Sequence, residues 1–246
     1  MEPVPTQASP WSVRDPILIY VGALFASLAG LVIAGVVGFI DVGALTNAET
    51  SDAELPRLIM VSAIAQYGAM YLGLRLLSTR KGSGDFKQDF HLHVTSSDWP
   101  FFLYGVGLLF VSGLVLTGIF SLLNIEAPTQ EVVEAAQATQ NLGEKAVILV
   151  AIAFLAPVLE EILFRGVFLD ALKPRMPLNR AIWITGIVFG LVHLTDPATL
   201  ALVPALIGLG VILGFVRERG TGALSRPNLM HMGFNAVTAV ALVFAL

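Results

Sequence analysis

Apolar residues in this chain fall into long blocks rather than short periodic faces. Seven blocks can be marked, at roughly Ile17–Ile40, Arg57–Leu77, Trp99–Leu123, Lys145–Leu172, Arg180–Leu194, Ala198–Val216 and Asn228–Leu246. Most come near the ~20 residues a helix needs to cross the hydrocarbon of a bilayer, and the fifth is shorter. Within lipid the backbone must satisfy its own hydrogen bonds, which a helix does inside one segment. No alternating strand pattern and no internal repeat is evident. The pattern predicts an all-α, polytopic membrane protein of about seven transmembrane helices. The first block is too long for a signal-peptide core and lacks a cleavage site, so it reads as an uncleaved span.

Small and polar residues divide the blocks further. Gly30, Ala34 and Gly38 form a stripe at i, i+4, i+8, and Gly208, Gly210 and Gly214 mark the sixth helix; such residues let helices approach closely. Pro157 lies inside the fourth helix and predicts a kink, because proline has no N–H to donate. Asp196-Pro197 predicts a tight turn, and the acidic stretch Asn124–Glu144 a short surface helix. Three regions result. Residues 1–15 are a polar tail, 16–144 hold helices 1–3 and an acidic outer loop, and 145–246 hold helices 4–7 as the working core.

Composition narrows the class. Charged residues make up 13% of the chain, against about 25% in soluble domains, and the mean hydropathy is +0.80. No polar block is long enough for a soluble domain. Cysteine is absent, which excludes disulfides, a thiol nucleophile and thiolate metal sites. No basic arm or basic–aromatic patch points to nucleic acid. The expected partners are membrane lipid and a membrane-associated protein or peptide.

Charge also orients the chain. With the N-terminus inside, the cytoplasmic segments hold Arg14, then Arg75, Arg80, Lys81 and Lys87, then Lys173, Arg175 and Arg180, then Arg217, Arg219 and Arg226. These are eleven of the fourteen Lys and Arg residues. The opposite loops collect acids from Asp41 to Asp196. By the positive-inside rule the N-terminus is cytoplasmic and the C-terminus outside, in a membrane read as a bacterial plasma membrane.

Few ionisable groups are left at depth: Glu160, Glu161, Arg165, His193 and His231, with the amide of Asn235. A charge at the centre of a span costs about 2.5–3.5 kcal/mol on insertion scales, so such groups face protein or water and mark a working site. Glu161 and Arg165 are i, i+4 and share a face. Glu160 is rotated about 100° from Glu161 and is left for chemistry. Phe189 stands one turn before His193, and His231 and Asn235 are again i, i+4. A buried glutamate alone also suits a proton relay, and a lone histidine is more often packing. Convergence from three helices moves the reading toward catalysis.

The order Glu160-Glu161-x-x-x-Arg165, Phe189-x-x-x-His193, His231-x-x-x-Asn235 resembles the CPBP family of intramembrane proteases. That family includes the type II CAAX prenyl endopeptidases and bacteriocin self-immunity proteins. The resemblance covers roughly Ala146 to the C-terminus. It implies hydrolysis of a peptide bond in a membrane-associated, CAAX-type substrate. It further implies that Glu160 and His193 activate a water, that His231 and Asn235 stabilise the oxyanion, and that Glu161 and Arg165 support the site from behind. Proton abstraction and oxyanion donation are chemistry these side chains can perform. No cofactor is expected. The alternative is zinc held by Glu160, His193 and His231, but no His-Glu-x-x-His helix is present.

Other readings are a non-catalytic immunity or scaffold protein of the same fold, and a proton-coupled transporter, which usually carries repeats. His91 and His93 read as a solvated loop. The glycines of the sixth helix follow no strand and are not a dinucleotide fingerprint. The absence of a Gly-x-Ser-x-Gly elbow disfavours a serine hydrolase.

Overall fold

The structure is a computed structural model that describes residues 9–41, 43, 54–124, 139, 141–194 and 198–244, with side chains to 240. The expected surface helix after Asn124 and the turn at Asp196-Pro197 lie outside the described residues. Within them the chain is all-helical, with no strand. Seven helices carry the fold: α1 Arg14–Val36, α2 Leu55–Lys81, α3 Pro100–Leu123, α4 Leu142–Leu172, α5 Leu178–Leu191, α6 Val203–Glu218 and α7 Ser225–Phe244. Among the described residues five helical segments are long and apolar enough to cross a membrane: α1, α2, α3 with its preceding turn, α4, and α6 with its preceding turn. At 14 residues α5 is shorter, and α7 is not among the five.

α4 is the centre. All eight residues from Ile162 to Leu169 are buried, and α1, α2, α5, α6 and α7 all touch some part of this helix. A helix that is apolar on every side has to be enclosed in this way. The outer helices show the reverse: Phe25 is 69% exposed and Leu114 of α3 75%. Such side chains ring the protein where lipid would meet them. Against lipid, helices associate by close packing more than by the hydrophobic effect.

Glycines set the close crossings. α1 and α2 run antiparallel, with Gly30 against Ala65 and Gly73 against Ile19. α5 meets α6 at Gly186 and Gly210, where a Cβ on Gly210 would stand 2.9 Å from the Gly186 Cα. α3 meets α7 at Gly105 and Gly233; a Cβ on Gly233 would run into the backbone carbonyl of Phe102. The expected stripe is only partly used. Gly30 makes the contact, while Gly38 lies beyond the helix at φ +73°.

Pro157 changes the register of α4. The helix widens into a π-helical stretch at Ala151–Leu155, returns to α over Ala156–Glu161, and widens again at Ile162–Leu169. Ala156 donates its N–H to the Ala151 carbonyl, five residues back. In that register the next donor, to Ile152, would be Pro157, which has none. The orphaned Ile152 carbonyl accepts from Asn235 Nδ2 of α7 at 3.1 Å. Wide turns of this kind occur often at functional sites.

Candidate active site

The α stretch between the two wide turns carries Glu160 and Glu161, which point to different surroundings. Glu161 and Arg165 are both 0% exposed and pair at 2.8 Å. Arg165 also donates to the Gly210 carbonyl at 2.8 Å and lies 4.5 Å from the Phe189 ring centroid. The close Gly186–Gly210 crossing holds that part of α6 against α5. Phe189 is fully buried, 4.7 Å from the His193 ring and 5.6 Å from that of His231. It therefore fills the space between cation and imidazoles, a favourable arrangement for a guanidinium over an aromatic face.

Glu160 is partly exposed and meets both histidines. Its Oε2 stands 3.8 Å from His193 Nε2 and 3.9 Å from His231 Nε2. His193 Nδ1 lies 2.6 Å from the Phe189 carbonyl, and His231 Nδ1 lies 3.1 Å from Glu161 Oε1. Both partners are acceptors, so each Nδ1 carries the hydrogen. In the neutral rings each Nε2 then presents a lone pair toward the Glu160 carboxylate. Both imidazole nitrogens thus approach the same carboxylate oxygen at distances too long for direct hydrogen bonds.

A cavity of about 530 Å³ opens onto this cluster, lined by Glu160, His193, Asn235 and Tyr67 and by apolar residues such as Met60 and Ile148. Asn235 keeps one amide hydrogen on Ile152. His231 lies behind Glu160 and is 2% exposed. The candidate site residues are therefore brought together: Glu160, His193 and Asn235 on the cavity wall, His231 against Glu160, and Glu161, Arg165 and Phe189 packed with them.

Some groups near the site were not singled out in the sequence. Tyr67 of α2 places its hydroxyl 3.5 Å from Glu160 Oε1. Tyr20 of α1 donates to the Val192 carbonyl at 3.0 Å. Arg217, counted as a loop cation, is 3% exposed and grips Asp170 through two hydrogen bonds of 2.7 and 2.9 Å. It also donates to the Arg165 carbonyl, joining α6 to α4 below the site. Tyrosines inside spans could have been flagged as polar groups at depth. Nothing in the spacing pairs Asp170 with Arg217, which stand 47 residues apart.

Glu160, His193 and His231 supply the donor types of a zinc site. Even so, no three His, Asp or Glu side chains among the described residues close into a ligand group. The chemistry below takes no step through a metal.

Residues 142–237 match the family model described as type II CAAX prenyl endopeptidase Rce1-like. This is the family that the three spaced motifs resemble, and the match runs from the start of α4 to just past Asn235. No curated protein and no solved structure matches the chain.

Proposed function

From that family match we propose that the protein is an intramembrane endopeptidase that cleaves a membrane-associated peptide, in the CAAX-type reading a prenylated one. The observation that carries the proposal is the approach of His193 Nε2 and His231 Nε2 to one oxygen of Glu160, at 3.8 and 3.9 Å. A carboxylate oxygen and an imidazole nitrogen at such a separation can be bridged by a proton donor, and water is the donor hydrolysis requires. One water spans the 3.8 Å between Glu160 Oε2 and His193 Nε2 by giving a hydrogen to each.

Glu160 removes a proton as the water oxygen attacks the peptide carbonyl carbon. Asn235 has a second amide hydrogen for the developing oxyanion. His231 serves as a second donor in the form that carries a hydrogen on Nε2. When the C–N bond breaks, Glu160 returns the proton to the leaving nitrogen, giving a carboxylate and an amine. Donors fixed in a water-poor site are the largest source of such stabilisation. Leu24, Ile59, Met60 and Ile148 on the cavity wall support an apolar or lipid-bearing substrate.

In this reading the chain crosses a bacterial plasma membrane seven times, N-terminus in the cytoplasm and C-terminus outside. The partners are lipid and the peptide substrate. The hydrolysis is metal-independent.

The test uses purified protein and an internally quenched, farnesylated CAAX peptide. Glu160→Gln and His193→Ala should each lower kcat by about 10²–10⁴-fold without unfolding the protein. Exhaustive chelation should leave wild-type activity intact; loss restored by zinc would replace the metal-free mechanism. Full cleavage by Glu160→Gln would overturn the assignment and favour a non-catalytic scaffold.

A further inference from the structure

Nothing in the family match reaches α1 or α2, yet α2 touches the group that does the chemistry. Tyr67 lines the same cavity as Glu160 and aims its hydroxyl at Glu160 Oε1 from 3.5 Å. The other oxygen, Oε2, is the one that faces both imidazoles. A second tyrosine of the same helical hairpin, Tyr20, donates to the carbonyl of Val192, the residue before His193. We infer that Tyr67 is a positioning residue for Glu160: it holds one carboxylate oxygen so that the other is presented to His193 and His231.

The physical case begins with the side chain. The last torsion of a glutamate is broad and roughly two-fold, so its two oxygens exchange places easily unless one is held. Neither imidazole holds it, because both turn lone pairs toward it. Among the described residues Tyr67 makes the one hydrogen bond to the Glu160 carboxylate, and a phenol is an O–H donor at neutral pH. The 3.5 Å separation is long, as catalytic hydrogen bonds often are before substrate closes the site. The hairpin is well placed to act as a fixed wall, since Gly30 and Gly73 bring α1 and α2 into close contact. The catalytic consequence of this contact rests on the peptidase reading; the contact itself does not.

Infrared spectroscopy of the purified protein separates the two. The Glu160 carboxyl band is identified as the one lost in Glu160→Gln. Tyr67→Phe keeps the ring and removes the donor, and it should shift that band. Tyr71→Phe should not, because Tyr71 is 46% exposed and packs on Phe86. Reading the contact from the other side, Glu160→Gln should shift a tyrosine phenol band with Tyr67 left intact. On the farnesylated CAAX peptide, Tyr67→Phe should lower kcat about tenfold at unchanged KM, with wild-type thermal stability. Unshifted bands in both variants, or a Tyr67→Phe protein with wild-type kcat, would overturn the inference. Shifted bands together with full activity of Glu160→Gln would leave the contact standing and remove the peptidase reading.

Discussion

At Glu161 a carboxylate with no solvent exposure meets a guanidinium with none. Among the described residues Glu161 Oε2 and Arg165 Nε have no hydrogen-bond partner, and each such orphan costs about 1–3 kcal/mol. The pair is therefore expensive to bury and still more expensive to break. Arg165→Ala should destabilise the protein by about 3–5 kcal/mol, because it leaves Glu161 buried and uncompensated. Glu160→Gln should change stability by less than about 1 kcal/mol, since Glu160 is partly exposed and its two charged-type contacts lie at 3.8 and 3.9 Å. Thermal unfolding of the two variants in one detergent checks the contrast; equal losses would mean that the neighbouring glutamates share one role. That the two glutamates point to different surroundings was legible in the sequence, because adjacent helical residues are rotated by about 100°. That Glu161 also fixes the His231 tautomer was not, since helix spacing on α4 carries no information about where α7 will lie.

The elements are held in register by features that a hydrophobic plot passes over. Pro157 does not simply bend α4. It shares in a π-helical turn whose stray carbonyl is taken up by Asn235, so one of the candidate oxyanion donors is also a brace between α4 and α7. The Gly233–Phe102 crossing sets how deeply α7 sits against α3, and α7 carries both His231 and Asn235. Gly233→Ala should cost about 1–3 kcal/mol, because the atom in the way is backbone and cannot rotate aside. By displacing α7 it should also lower activity. Gly113→Ala, on a stretch of α3 with open space around it, is the control and should leave both unchanged. A Gly233→Ala protein with wild-type stability would show that the crossing is looser than its geometry implies. Gly30, Gly38, Gly208, Gly210 and Gly214 stood out in the sequence as helix-packing residues, but which of them carry contacts did not, and Gly233 did not stand out at all. Gly210 and Gly233 carry contacts, while Gly208 and Gly38 face open space.

For the whole molecule, orientation is the property most open to direct measurement. Because the chain has no cysteine, single introduced cysteines are clean reporters. Thr221→Cys, in the loop between α6 and α7, should label in intact cells only after the membrane is permeabilised. Leu142→Cys, 77% exposed at the start of α4, should label from outside. The reverse pattern would invert the topology and with it the side from which the cavity is reached. By itself the sequence determined the all-helical membrane class, because runs of apolar residues near bilayer length have few other solutions. It also determined which polar groups are too costly to face lipid and must gather. Only the tertiary structure decided how they gather: the imidazole tautomers, the Asp170–Arg217 clamp, the Asn235 brace and the approach of Tyr67. Each of these depends on contacts between helices far apart in the chain. The spacing of residues along one helix fixes their directions around its axis, but the packing of helices fixes what those directions meet.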